Sequence, residues 1–256
     1  MCELLGISTN KKIKVNELFK TFISHSIEHK NGWGMAVFDD LERIVKEPQP
    51  AINSESLYEI LKSDFSTSKC IAHIRKATIG DVTEINTHPF KAVDESGRHW
   101  ILAHNGTIFE SEVLSPYQYT QQGTTDSERI LLYIVDEMNK KYRKKGEPLT
   151  DSERIGLVDK AVRAVVPGNK LNLLIFDGDQ FYVHKNEMGT LFTKKVDEGI
   201  IFATKPLDDG VWEELPENRL HVYKDGAHIY TGVRHNHSYV HNEEDMKLLY
   251  LAYAGL

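Results

Sequence analysis

Cysteine occupies position 2 of the 256-residue chain, directly behind Met1, and Cys70 is the one other cysteine. Removal of Met1 would put a thiol and a free α-amine on one residue. The amine has an unperturbed pKa of roughly 7.7–8.0 and the thiol about 8.5, so near neutrality the amine can act as base for its own sulfur. Elsewhere in a chain an activated nucleophile needs a second side chain at hydrogen-bonding distance. Four polar segments inside otherwise apolar runs offer the other parts of a substrate site. Residues 72–80 begin like a buried strand but place Arg75 near its end, either paired structurally or set to grip a carboxylate bidentately. In Asn86-Thr87-His88-Pro89-Phe90 the proline restricts His88 to extended geometry. Residues 100–106 form an apolar strand that stops on Asn105-Gly106. A side-chain amide and a glycine N–H are donor types that an oxyanion hole uses, and glycine lets substrate approach closely. Thr124-Thr125-Asp126 sets a carboxylate at a helix start, as a cap or as the partner of an ammonium group.

Taken together, Met1-Cys2, Gly32-Trp33-Gly34, His73-Ile74-Arg75-Lys76-Ala77-Thr78, Asn86-Thr87-His88-Pro89-Phe90, His104-Asn105-Gly106 and Thr125-Asp126-Ser127-Glu128 resemble, in order, the class II glutamine amidotransferases of the N-terminal nucleophile (Ntn) hydrolases. The resemblance runs from Cys2 to about Asp126. It continues more weakly through residues 171–177 and Ala203-Thr204-Lys205-Pro206-Leu207, which look like the free-standing, single-domain branch. It implies that Cys2 attacks the side-chain amide of glutamine while its own α-amine carries the proton to the leaving ammonia. Asn105 and Gly106 would stabilise the oxyanion, Arg75 with Thr78 beside it would hold the α-carboxylate, and Asp126 the α-ammonium. Water would then cleave the γ-glutamyl thioester. No cofactor and no metal are expected. Many synthase-linked relatives carry histidine where this chain has Ile79, an aromatic residue where it has Lys76, and glycine where it has Glu3. The first two positions adjoin the expected carboxylate grip, so the resemblance leaves room for a substrate other than plain glutamine.

Three functions fit these residues. One is a glutamine amidotransferase that feeds ammonia to a separate synthase, since no ATP-binding P-loop is present. The second is a γ-glutamyl amide or peptide hydrolase using the same machinery, because the acyl half of both substrates is the same γ-glutamyl group. The third is a glutamine-binding module without turnover, against which the complete set of Cys2, Arg75, Asn105, Gly106 and Asp126 argues.

The elements that must position this set are short in the first half. Strand-like runs at residues 3–8, 35–38, 70–74 and 100–103 are bounded by Gly, Asn, Asp or Pro. Helical periodicity marks residues 15–27, 56–62, 126–141 and 152–165. Three hairpins follow: 171–176 with 181–185, 191–195 with 200–203, and 220–223 with 228–230. Strands, then two long helices, then strands again indicate an α+β protein with segregated sheets. With the resemblance, this implies a four-layer αββα sandwich of two mostly antiparallel sheets. All of residues 1–256 are read as one domain, with 232–256 a loosely held tail.

Composition narrows the partners. Hydrophobic residues make up 40% of the chain and charged residues 27%, with a net charge of −7, which disfavours a nucleic-acid partner held by general electrostatics. The basic run at residues 140–145 reads as a helix C-terminus complementing the dipole. There is no secretory signal at residues 1–20 and no apolar run of the ~18–20 residues that a membrane span needs. Two cysteines cannot build a disulfide framework, so a reducing cytoplasmic setting is expected. His25 and His29 read as one surface face, and Cys70 as a buried inert thiol. His235, His237 and His241 have a spacing at which imidazoles can converge on a metal, but no cysteine joins them, and they read as a polar tail.

Overall fold

In the computed structural model, which describes residues 2–39, 41–244 and 247, Cys2 leads into β1 (Glu3–Lys14). This strand runs through the interior of a seven-stranded sheet. Its companions are β2 (Trp33–Phe38), β3 (Glu42–Glu47), β4 (Ser66–Ile74), β9 (Phe192–Val196), β10 (Gly199–Ala203) and β11 (Glu213–Glu214), in the order β11-β9-β10-β1-β4-β2-β3. A second sheet of six strands contains β5 (Phe90–Val93), β6 (His99–Thr107), β7 (Lys170–Phe176), β8 (Phe181–Lys185), β12 (Arg219–Lys224) and β13 (Ala227–Thr231), ordered β13-β12-β8-β7-β6-β5. Neighbouring strands in both sheets pair antiparallel.

Side chains alternate across a strand, and that alternation sorts the core into three apolar layers. Leu5 and Ile7 of β1, with Cys70, Ala72 and Ile74 of β4, face outward onto Phe19 and Phe22 of α1 (Asn16–Ser24) and Leu57 of α2 (Glu55–Lys62). Leu4, Ile71, Ala103, Leu174, Phe181 and Phe202 face inward and fill the space between the sheets. On the far side Trp100, Leu102, Leu173 and Ile175 pack under α3 (Asp126–Lys145) and α4 (Asp151–Val165), through Ile130, Ile134, Val158 and Val162. Helix, sheet, sheet, helix: the expected αββα sandwich is the observed one.

Local sequence sets the helix limits. A capping box of Thr150 and Glu153 opens α4, satisfying two backbone donors reciprocally. The apolar stripe of α3 outlasts the expected end at residue 141, and the helix stops at Gly146, whose φ of 78° lies in the left-handed region that glycine enters without a Cβ penalty. β3 was not expected; its Glu-Arg-Ile-Val-Lys-Glu sequence is an edge strand whose charges mask any alternation. Two expectations need correction. His25 and His29 are not a surface face: His29 is buried, and both rings turn toward the buried carboxylate of Glu3. The segment after β13 is tied down, with Gly232 N–H donating to Leu220 O, His235 N–H to Asn218 O and Tyr239 N–H to Asn186 O. The rest of that expected tail, 245–246 and 248–256, lies outside the described residues, as does Met1.

Candidate active site

Strand register brings the polar segments together at one end of the sandwich. β1 and β4 pair with Glu3 opposite Ile74, so Cys2 lies beside the chain just past Ile74. The Lys76 N–H donates to Cys2 Sγ at 3.3 Å, and Sγ lies 3.3 Å from the Lys76 carbonyl. The thiol is half-buried. Burial pushes its pKa above the ordinary value, although the Lys76 N–H and the Arg75 charge pull the other way. A thiol so poised is almost wholly protonated near neutrality, and therefore needs a base before it can attack.

Arg75 is buried, and its guanidinium is engaged by its own loop: Nη1 donates to Asp81 O at 2.7 Å, and Nη2 to Ile79 O and Gly80 O at 2.9 and 3.0 Å. Asn105 points inward from β6, opposite Asn172 of β7. It is buried, and its Nδ2 has no hydrogen-bond partner among the described residues. An unpaired buried donor costs about 1–3 kcal/mol, which is the condition of a group waiting for an oxyanion. Gly106 has no alternative: a Cβ there would lie 2.1 Å from Lys170 O and 2.3 Å from His104 Nε2. Asp126, at the first position of α3, is not the helix cap. Its Oδ2 accepts from the Ile108 N–H at 2.7 Å and its Oδ1 from Ser127 Oγ at 3.2 Å, leaving lone pairs on both oxygens.

Cys2, Arg75, Thr78, Gly106 and Asp126 line one small cavity of about 30 Å³ together with His88 and His104. Cys2, Thr78, Asn105 and Gly106 line a second, larger one of about 230 Å³. The other five candidate residues, Arg75, Thr78, Asn105, Gly106 and Asp126, therefore share a cavity with Cys2. Burial holds the His88 imidazole well below its usual pKa, with the neighbouring His73 and His104 adding to the effect, and keeps His73 at about 3. These rings are neutral at physiological pH, and both His88 nitrogens lack a hydrogen-bond partner among the described residues. His104 Nδ1 lies 2.9 Å from Ser127 Oγ, linking β6 to the start of α3.

Several residues at the site carried no sequence signal for it; His241 stood out only as part of a histidine-rich tail. Lys170, Tyr239 and His241 line the larger cavity, brought there by β7 and by the anchored segment after β13. Glu3, noted only as a departure from glycine, is gripped by His25 Nδ1 at 2.6 Å, Lys205 Nζ at 2.9 Å and His29 Nε2 at 3.4 Å. His235 does not join a metal site: its Nε2 faces His184 Nε2 at 2.9 Å.

Comparison with known proteins gives one answer. Residues 1–195 match the family described as glutamine amidotransferases class-II. An uncharacterized protein of Methanocaldococcus jannaschii is 31% identical over 91% of this chain and 72% of its own length. A solved structure of a predicted glutamine amidotransferase from Pseudomonas aeruginosa superposes with a TM-score of 0.63 at 22% identity, covering 90% of this chain and all of that one. Glutamine phosphoribosylpyrophosphate amidotransferase from Bacillus subtilis superposes with a TM-score of 0.65 at 15% identity, over 90% of this chain and 48% of that enzyme. The structural likenesses establish the fold, that of the Ntn hydrolases.

Proposed function

This chain belongs to the class II glutamine amidotransferases, and from that membership we propose that it hydrolyses the γ-amide of glutamine through Cys2 to give glutamate and ammonia. The observation that carries the reading is the convergence of the Cys2 thiol, the unpartnered Asn105 amide, Arg75 and Asp126 around adjoining cavities. Once Met1 is removed, the Cys2 α-amine takes the thiol proton, Sγ attacks the amide carbon, and the same proton leaves with ammonia. The resulting γ-glutamyl thioester is hydrolysed by water, which restores the thiol. Asn105 Nδ2 and the Gly106 N–H stabilise the tetrahedral oxyanion. Arg75 and Asp126 hold the two charges of the amino acid, with Thr78 beside them. For Arg75 this requires sharing or releasing the loop carbonyls at residues 79–81 that it now engages.

The ammonia would pass to a separate acceptor enzyme, and a reducing compartment such as the cytosol would keep Cys2 a thiol. No helix among the described residues is long and apolar enough to cross a membrane. The test is direct: processed protein, its Met1 removal verified by intact mass, is incubated with glutamine while glutamate and ammonia are measured. Equal activity in a fraction that retains Met1 would overturn the mechanism, because an amide nitrogen cannot serve as base.

A further inference from the structure

The chain after β13 returns toward the Cys2 end as a strap, held by groups that the mechanism does not use. Gly232, His235 and Tyr239 donate backbone bonds to Leu220, Asn218 and Asn186. Two buried asparagines answer in kind: Asn186 Nδ2 donates to His237 O at 2.9 Å, and Asn218 Nδ2 to Ser238 Oγ at 2.6 Å. The strap thereby sets Tyr239 and His241 in the wall of the chamber that Cys2, Asn105 and Gly106 also line. Tyr239 is braced by stacking on Phe109, ring centroids 5.9 Å apart.

One side-chain bond in this seat has its direction fixed by chemistry. His184 Nδ1 lies 2.6 Å from Leu171 O, and a carbonyl can only accept, so Nδ1 carries the proton. The neutral ring then has a bare Nε2, an acceptor, 2.9 Å from His235 Nε2. His235 Nε2 must therefore donate, which leaves its own Nδ1 to accept from the His237 N–H at 3.3 Å. Each ring has one tautomer that satisfies both of its bonds, and the line runs one way, from the His237 amide to the Leu171 carbonyl. Burial holds the His184 ring at about 3 and the His235 ring at about 4, the neighbouring imidazoles adding to the effect, so both are neutral near pH 7. Leu171 stands opposite Gly106 in the β6–β7 register. The line thus joins the strap to the strand that backs the oxyanion glycine. We propose that His235 and His184 are positioning residues for glutamine hydrolysis: their N–H···N bond seats the strap and so holds Tyr239 as a wall of the reaction chamber. This inference rests on Cys2 chemistry taking place in that chamber. A wall that meets substrate and transition state alike lowers KM and leaves kcat unchanged.

The experiment separates shape from polarity at position 235. His235→Phe keeps a ring and loses the donor; His235→Gln places an amide N–H where Nε2 stood. Processed His235→Phe should show a KM for glutamine about five- to tenfold above wild type with kcat within about twofold, and His235→Gln should restore KM. Tyr239→Ala should raise KM by a similar factor, and combining it with His235→Phe should raise it no further, because both changes remove the same wall. Trypsin reads the seat without turnover. Cleavage after the exposed Arg234, mapped by peptide mass, should be about tenfold faster or more in His235→Phe than in wild type or His235→Gln. His235→Ala takes the place of His235→Phe should the larger ring prevent folding. Three results would each overturn the inference: KM unchanged in folded His235→Phe, His235→Gln as impaired as His235→Phe, or additive losses in the double variant. No Cys2-dependent turnover in any of the proteins would overturn the proposed function and the positioning role with it. The cleavage rates mark that outcome off, since they keep their order when only the chemistry is misassigned.

Discussion

Ile71 on β4, Ile101 and Ala103 on β6, and Leu174 and Phe176 on β7 fill the body of the inter-sheet layer. One step farther along the same faces, toward the Cys2 end, stand His73, Asn105 and Asn172. The backbone is equally regular at both ends; only the side chains change. In the body each fully buried apolar side chain contributes roughly 1.5–3 kcal/mol. At the Cys2 end the Asn105 amide nitrogen and both ring nitrogens of His73 and of His88 are buried without a hydrogen-bond partner among the described residues, each costing about 1–3 kcal/mol when it must donate. The two cysteines repeat the contrast within one sheet. Cys70 is fully buried in the outer layer, with its pKa raised well above the ordinary value by burial. Cys2 is half-buried beside a backbone donor and a guanidinium. Stability is concentrated in the body, and poised, unsatisfied groups are concentrated at the site.

The harshest test of that division is the pair of cysteines. Cys2→Ala should lower glutamine turnover by about a thousand-fold or more and abolish labelling by a glutamine-like electrophile. Cys70→Ala should leave activity within a few-fold and lower stability by the modest amount expected of a small cavity. Peptide mass mapping of the label decides the assignment, and modification at Cys70 would reverse it.

Next in size is the layer itself. Asn105→Ala should reduce kcat by about 10²–10³, the loss typical of one oxyanion donor, with little change in Tm, because the deleted amide nitrogen has no partner to lose. Ile101→Ala, four residues earlier on the same face, should do the opposite. It should cost about 2–5 kcal/mol of stability and leave kcat nearly intact in the folded fraction. Parallel melting and kinetic measurements on both variants separate the cases, and equal loss of Tm would erase the distinction.

A smaller effect concerns Arg75 and Asp126, which the structure also uses to hold a loop and the Ile108 turn. If they read the substrate's charges, removing one such charge should cost at least about 2 kcal/mol, because a protein charge is left unpaired. N-acetylglutamine and glutamine amide should then react at least about 30-fold more slowly than glutamine. Equal kcat/KM for all three compounds would assign both residues to structure alone.

Much of this was legible in the sequence because it is local. The period-two runs and the Asp177-Gly178 and Asp225-Gly226 turns mark the hairpins of β7–β8 and β12–β13, and the apolar stripe of α3 is visible by inspection. Cys2, Arg75, Asn105 and Asp126 announced themselves as polar residues in apolar or hinge contexts. What escaped is what only packing creates. The β3 edge strand pairs on one side and carries charge, so it lacks alternation. His25 and His29 lie one turn apart, as a solvated pair would, and only the docking of α1 against β1 turns them onto Glu3. Lys170, Tyr239 and His241 reach the site from elements whose sequences say nothing of Cys2, and the pairing of β6 with β7 brings Lys170 opposite Thr107.

Glu3 supplies the smallest effect, and it asks whether the poised end has an anchor of its own. Burial alone would raise the Glu3 pKa, but the contacts from His29, Lys205 and His25 outweigh it and hold the carboxyl at about 2. An unfolded glutamate titrates near 4.3. The folded value is the lower one, so the charged form stabilises the fold fully above about pH 4.5, and the contribution disappears as pH falls through about 2. The shift corresponds to at most about 3 kcal/mol, and to about 1–2 kcal/mol once solvent screening at the exposed Lys205 and half-buried His25 is allowed for. Glu3→Gln should therefore melt a few degrees below wild type near neutral pH, with the two curves converging as pH approaches 2. Because Glu3 adjoins Cys2 in sequence, the loss should also loosen the thiol from its seat on Lys76 and lower kcat a few-fold without altering KM. Thermal melts of both proteins from pH 7 down to 2, with kcat measured at the upper end, test the point. Superimposable melting profiles across that range would mean that Cys2 is held by the strand pairing and the Lys76 backbone alone.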